Sequence, residues 1–191
     1  MATVGELLRG ARDLPGDSAP RDAEILLGFC LDRARSWLYT WPEKEVAPEQ
    51  AARYRHMLTE RRRGVPVAYL TGSRDFWSLN LRVTPDTLIP RPETETLVEW
   101  ALELALPERA VVADLGTGSG CIAIALAYAF PAATVDAVDV SADALAVTAI
   151  NIERHDLKDR VTAIQSDFFS SLAGKQYDMI VSNPPNVDKQ D

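Results

Sequence analysis

The chain has 191 residues, 47% of them apolar and 25% charged, with 20 Lys/Arg against 28 Asp/Glu for a net charge of −8. That apolar share can build a packed core, which excludes disorder as the main state, and no apolar run reaches the roughly 20 residues that span a bilayer. The charge is unevenly spread: residues 78–191 hold 8 Lys/Arg against 17 Asp/Glu, the reverse of the basic face that holds duplex nucleic acid.

The opening residues Met1 to Glu6 lack the basic patch and apolar stretch of a secretory signal. Cys30 and Cys121 each sit inside an apolar run, so both are expected to be buried thiols in a reducing cytoplasm, not a disulfide. Thr3 and Glu6 have capping-box spacing and start a first helix that the turn Pro15-Gly16-Asp17-Ser18 ends. A second helix is expected from about Arg21 to Leu38, with Ala23, Leu26, Leu27, Cys30 and Leu31 on one stripe. A third begins near Pro48, buries Ala51, Tyr54 and Leu58, and ends at Arg61-Arg62-Arg63-Gly64. That arginine run reads as a solvated helix end complementing the dipole, or as a contact for an acidic or RNA partner.

From Phe76 to Val83 the pattern turns to extended structure, with Ser78-Leu79-Asn80 able to hold a turn. Pro85, Pro90 and Pro92 stiffen the chain before a helix from about Glu93 to Ala105. Beyond Pro107 the elements alternate. Strands are expected at Ala110 to Leu115, Thr134 to Val138, Val161 to Gln165 and Tyr177 to Val181. Helices are expected at Ser119 to Phe130 and at Ala142 to His155, the latter with Leu145, Ala149, Ile150 and Ile152 inward. This alternation predicts an α/β fold with a parallel sheet. The domain organisation read from it is a helical domain over 1–74, a β-hairpin linker over 75–91 and a sheet domain over 92–191.

Asp114-Leu115-Gly116-Thr117-Gly118-Ser119-Gly120 joins the first of these strands to its helix. Glycines there permit a sharp turn and close approach of a ligand. Asp139, ending the next strand, stands where an acidic side chain meets ribose hydroxyls in nucleotide-binding sheets. The third glycine comes one residue too early for the dinucleotide pattern, and Asp114 opposes a pyrophosphate. A cationic ligand without phosphate, S-adenosyl-L-methionine, suits the loop better; a glycine-rich turn without a ligand is the plain alternative. After the fourth strand comes Asn183-Pro184-Pro185-Asn186. Prolines stiffen that loop, and the side-chain oxygen of Asn183 with the carbonyl of Pro184 can grip both N–H bonds of an amide or amine nitrogen. His56 and His155 have no partners at metal spacing and are expected at the surface, and Trp77 and Trp100 read as packing residues.

Together with Gly64-Val65-Pro66-Val67-Ala68-Tyr69-Leu70-Thr71-Gly72, Leu88-Ile89-Pro90-Arg91-Pro92-Glu93-Thr94-Glu95 and Gln165-Ser166-Asp167-Phe168-Phe169, these motifs make the chain resemble the peptide-chain release factor glutamine N5-methyltransferases. The resemblance implies a Rossmann-like methyltransferase sheet preceded by a small all-α domain and a β-hairpin linker. It implies cofactor contacts at Gly116, Thr117, Gly118, Ser119, Gly120, Asp139, Asp167, Phe168 and Asn183. It implies substrate-amide contacts at Asn183, Pro184, Pro185 and Asn186, with Asn183 and Pro184 catalytic, and places Pro90 to Thr94 at the border of the cofactor site. The implied partner is a class 1 release factor, held by the N-terminal helices and methylated on the glutamine of its Gly-Gly-Gln motif, with no membrane and no direct nucleic-acid partner. Two departures are expected to matter. Asn186 stands where the family has tyrosine, which predicts impaired turnover. Only four strands are countable where such sheets have seven, so the chain reads as C-terminally truncated, with an exposed sheet edge and a tendency to self-associate. A nucleic-acid adenine N6-methyltransferase and a catalytically dead cofactor- or release-factor-binding remnant are the alternative functions.

Overall fold

The computed structural model describes residues 1–184, and the chain divides into two compact units, Met1–Gly72 and Ser73–Asp191. The boundary falls at Gly72, two residues before the expected one.

The first unit is all helical. The capping box at Thr3 and Glu6 forms as read, with both reciprocal hydrogen bonds, and opens α1 (Val4–Arg9). This helix is shorter than expected, because it stops at Gly10 rather than at the Pro15 turn. The expected second helix is two. α2 (Ala19–Leu31) ends on Asp32, whose φ of 52° is left-handed, and α3 (Arg35–Thr40) starts three residues later. Arg33 donates from its N–H back to the Gly28 carbonyl at 2.9 Å, the bond of a Schellman cap. A Cβ at Gly28 would stand 2.7 Å from the Arg33 carbonyl oxygen, so only glycine lets the chain fold back there. The Glu24 carboxylate accepts hydrogen bonds from Arg35 and Tyr39 and holds α3 against α2.

α4 (Pro48–Arg62) buries Ala51, Tyr54, Met57 and Leu58 against Leu26, Leu27 and Leu38. Arg62 and Arg63 are exposed, as the solvated reading of this helix end has it, and Arg61 is partly buried, but each of the three has an acidic partner. Arg61 pairs with Asp22 at 2.9 Å, Arg62 grips both oxygens of Asp13, and Arg63 pairs with Glu60. A short α5 (Val67–Thr71), unanticipated from the sequence, closes the unit.

The second unit opens with a hairpin, β1 (Ser73–Phe76) and β2 (Leu79–Arg82), paired antiparallel from Ser73↔Arg82 to Phe76↔Leu79. Its turn is Trp77-Ser78, one residue earlier than read, with both φ positive at 51° and 59°. That is the backbone of a tight two-residue hairpin turn, adopted here without glycine. Trp77 donates its N–H to Glu95 at 2.8 Å, which helps hold the turn. Phe76 and Leu81 enter the main core, so the hairpin packs with this unit.

A 3₁₀ turn (Pro92–Thr94) leads into α6 (Glu95–Leu102), which ends three residues before the expected Ala105. Trp100 on it is 61% exposed, not packed as expected, whereas Trp77 is partly buried against the core. Then follow β3 (Val111–Leu115), α7 (Cys121–Ala129), β4 (Thr134–Asp139), α8 (Ala142–Arg154), β5 (Val161–Gln165) and β6 (Met179–Ser182). The four strands form one parallel sheet in the order β5-β4-β3-β6. α7 is apolar around its circumference, as a helix must be when neighbours cover every side. It lies against β3, β4 and β5, with α6 and α8 beside it. Cys121 is buried there and Cys30 is buried in the first unit; both are free thiols. Among the described residues no helix is long and apolar enough to cross a membrane.

Candidate active site

β3 and β6 are hydrogen-bonded neighbours running the same way, with Leu115 opposite Ser182. The residues that follow, Gly116 and Asn183, therefore leave the sheet side by side at its carboxyl end, where open α/β sheets bind ligands. Ser182 reinforces the junction by donating its hydroxyl to the Leu115 carbonyl at 2.9 Å.

The glycine loop is bent hard against β4. Gly116 and Thr117 both donate N–H to the Val138 carbonyl, at 2.8 and 2.9 Å, and Gly118 donates to the Asp139 carboxylate at 2.9 Å. Gly116, Gly118 and Gly120 have φ of 73°, 58° and 83°, a region that side chains disfavour. At Gly116 and Gly118 a Cβ would meet nothing within 4 Å, so the loop leaves open space there. At Gly120 it would stand 3.0 Å from Thr148 Cγ2, because the loop packs down on α8. One face of the loop is thus open and the other is closed.

Asp114 lies beneath the loop, fully buried. One of its oxygens accepts from the Thr117 hydroxyl at 2.7 Å and the Ala123 N–H at 3.2 Å; the other has no partner. Burial pushes its carboxyl from 3.8 up to about 6. Burial, with Asp114 adding to it, also pushes the Cys121 thiol up to about 12, so this cysteine is no nucleophile at neutral pH. Ser119 is buried with an unpartnered hydroxyl. Asp139, at the tip of β4, accepts one N–H on each oxygen, from Gly118 and from Ser141, which leaves acceptor capacity on both.

Past β5, Asp167 and Phe168 are exposed at the same end of the sheet, and Phe168 has a left-handed φ of 48°. Asn183 is exposed and donates its side-chain NH2 to Thr94 Oγ1 at 3.2 Å; its Oδ1 makes no hydrogen bond among the described residues. Pro184 beside it is exposed. Pro185 and Asn186 lie outside the described residues. The sheet thus brings the glycine loop, Asp139, Asp167, Phe168, Asn183 and Pro184 to one end, with Thr94 joining them from the 3₁₀ turn. No Lys, Arg or His stands between 114 and 120. Among the described residues no cluster of His, Cys, Asp and Glu could hold a metal ion.

Residues 94–191 match the family model described as the methyltransferase small domain. The chain belongs to this family. Residues 6–72 match a second model, the PrmC N-terminal domain. The chain is similar to proteins named release factor glutamine methyltransferase. It is 50% identical over 176 residues to that of Shewanella oneidensis, covering 92% of this chain and 61% of the relative. It is 48% identical over 176 residues to that of Escherichia coli K12, covering 92% of this chain and 63% of the relative. The match to the Koribacter versatilis protein is 47% over 180 residues, or 93% of this chain and 62% of the relative. The chain therefore spans a little over three fifths of the length of these relatives.

Two polar residues of this methyltransferase sheet escaped the sequence reading. Thr148 and Asn151 are both fully buried on α8 and bond to the loop carbonyls of Gly118 and Ser119. The buried stripe of α8 is Ala144, Val147, Thr148, Asn151 and Ile152, while Ala149 and Ile150, expected inward, are exposed. Choosing the face by apolar residues alone rotated it. The usable signal was two polar residues keeping the i, i+3, i+4 spacing of the core face. His155 is half-buried rather than at the surface, with Nε2 2.9 Å from the Asn80 carbonyl oxygen; His56 is exposed.

Proposed function

We propose that this chain methylates the side-chain amide nitrogen of a glutamine in class 1 peptide-chain release factors, with S-adenosylmethionine as donor. The observation that carries the reading is the adjacency of the open glycine loop and Asn183 at the tips of two paired strands. The names of the relatives supply the substrate class.

The residues fit such a donor. The negative charge of Asp114 beneath the loop favours a cation and opposes a pyrophosphate, the open face over Gly116 and Gly118 admits a ligand against backbone, and Asp139 retains acceptor capacity for two hydroxyls. When bound, S-adenosylmethionine supplies a methyl group on a positively charged sulfur, already activated for transfer. The protein's task is then to prepare the amide, whose nitrogen is a poor nucleophile because its lone pair is delocalised. Asn183 is oriented for this: its NH2 is tied to Thr94, so its Oδ1 is the atom left to accept an N–H from the substrate amide. The Pro184 carbonyl is the second acceptor. Two acceptors in one plane fix both N–H bonds and turn the lone pair out of that plane. Positioning of this kind can contribute several kcal/mol to lowering a barrier. The proton lost after transfer passes to water. The free buried thiols suit a cytoplasmic setting, where release factors act.

The test is methyl transfer from labelled S-adenosylmethionine to a release factor, to the same factor with its Gly-Gly-Gln glutamine replaced, and to an adenine-containing DNA. Label on the first alone supports the proposal; label on DNA sinks it. A second reading rests on Asn186. Asparagine lacks the ring area and π face that a tyrosine would set beside the reacting amide, which favours a chain that binds but turns over slowly. Asn186→Tyr is expected to raise turnover at least fivefold with donor affinity unchanged. Equal rates would show the ring to be dispensable.

A further inference from the structure

Asn151 sits 69 residues from the hairpin and 32 from the glycine loop in sequence, yet its buried side chain bonds to both. Its Oδ1 accepts the Arg82 N–H at 2.6 Å, while its NH2 donates to the Arg82 carbonyl at 2.9 Å and the Ser119 carbonyl at 2.8 Å. The orientation of the amide is unambiguous, since a backbone N–H only donates. One turn earlier on α8, Thr148 donates its hydroxyl to the Gly118 carbonyl at 2.8 Å and presses its methyl group under Gly120. Two successive loop carbonyls are therefore pulled toward α8. A trans peptide points its C=O and N–H in opposite directions, so the Ser119 N–H is turned away from α8. A purely architectural role accounts for the two bonds to Arg82. The two donors aimed at consecutive carbonyls of the left-handed loop both satisfy those carbonyls and fix which way their peptides face.

We infer that Thr148 and Asn151 are positioning residues for the methyl donor: they pin the Gly118 and Ser119 peptides face-down on α8, which presents the loop's open face to the ligand. The two bonds of Asn151 to Arg82 hold the hairpin and are separate from this role. This rests on the reading of the loop as the donor site. It implies that donor affinity depends on two side chains that sit behind the backbone they orient and contribute through it.

The test measures binding of S-adenosylhomocysteine by calorimetry, with melting temperature and saturating turnover, on the 191-residue chain. Thr148→Val keeps shape and methyl packing and removes one donor. Asn151→Asp keeps shape and turns the NH2 into an acceptor facing two carbonyls. Asn80→Ala is the control: it loosens the hairpin at its Arg154 contact without touching the loop. Thr148→Val is expected to weaken binding about fivefold and Asn151→Asp tenfold or more. Both should raise KM for the donor while kcat at saturation stays within about threefold, and Asn80→Ala should lower the melting temperature with affinity unchanged. Should Asn151→Asp fail to fold, Thr148→Val carries the test. Unchanged affinity in Thr148→Val, or equal weakening in Asn80→Ala, overturns the inference and leaves the donor-site reading standing. A parent chain that does not bind S-adenosylhomocysteine overturns both.

Discussion

Replacing Asp114 by asparagine should stabilise the free protein at pH 8 and weaken its donor binding, two effects of opposite sign from one side chain. Its carboxyl is fully buried and raised from 3.8 to about 6. A raised acid pKa means that the native state holds the proton more tightly than the unfolded chain. The native state is therefore favoured below about pH 4, and that advantage is lost as pH rises to about 6. The two-unit gap makes the ionised group cost about 3 kcal/mol above pH 6. Asparagine removes this cost. Its oxygen can still accept from Thr117 and Ala123, while its NH2 takes the place of the unpartnered oxygen and itself goes unpaired. That loss is about 1–3 kcal/mol. The net expectation is a gain of up to about 2 kcal/mol at pH 8 and a loss of about 1 kcal/mol or more at pH 4.5, where parent Asp114 is protonated. Urea unfolding of parent and variant at pH 4.5, 6 and 8 reads the difference directly, and other titrating groups cancel in the comparison. Calorimetry with S-adenosylmethionine should show at least tenfold weaker binding at pH 8. A stability difference that is the same at pH 4.5 and pH 8 would refute the burial argument. Unchanged affinity would refute a role for this charge in holding a cation.

Gly118→Ala should lower stability by about 1–2 kcal/mol, the cost of a side chain at its φ of 58°, and should also weaken donor binding, since its Cβ enters the open face of the loop; denaturant unfolding and calorimetry check the two separately. Thr94→Val frees the Asn183 amide to rotate, so kcat should fall about tenfold with donor affinity unchanged; a normal kcat would mean that Asn183 is held by something else. Tyr54 is fully buried with its hydroxyl unpartnered, so Tyr54→Phe should be neutral to stabilising by about 1 kcal/mol. A loss of 2 kcal/mol or more would reveal a partner for that hydroxyl.

The readable elements were those whose signal is local. The capping box at Thr3 and Glu6 formed because both of its bonds close within one turn. The alternation of short apolar runs with helical stretches foretold the parallel sheet, since a strand buried on both faces has to be apolar throughout. The misread elements depended on distant partners. Asp32 carries no strong breaker signal, yet the helix stops there because a Schellman cap at Gly28 turns the chain and Glu24 holds Arg35 and Tyr39. Trp77 and Ser78 take a left-handed turn without glycine, braced by Glu95 from 18 residues away. The arginine run at 61–63 does reach the surface at Arg62 and Arg63, but its pairing with Asp22 and Asp13 was hidden, because those partners lie 39 and 49 residues away in the chain.

The glycine loop, with its left-handed backbone, and the Asn183-Pro184 step after β6 were both legible in the order of the residues, because steric freedom at glycine and ring closure at proline act within a residue or two. That these two segments emerge side by side was decided only when β6 paired with β3, across 67 residues, in the register that sets Leu115 against Ser182. The same holds for the buried amide of Asn151. Its identity is plain in the chain, but its chemistry came from which carbonyls the packed helix brought within reach.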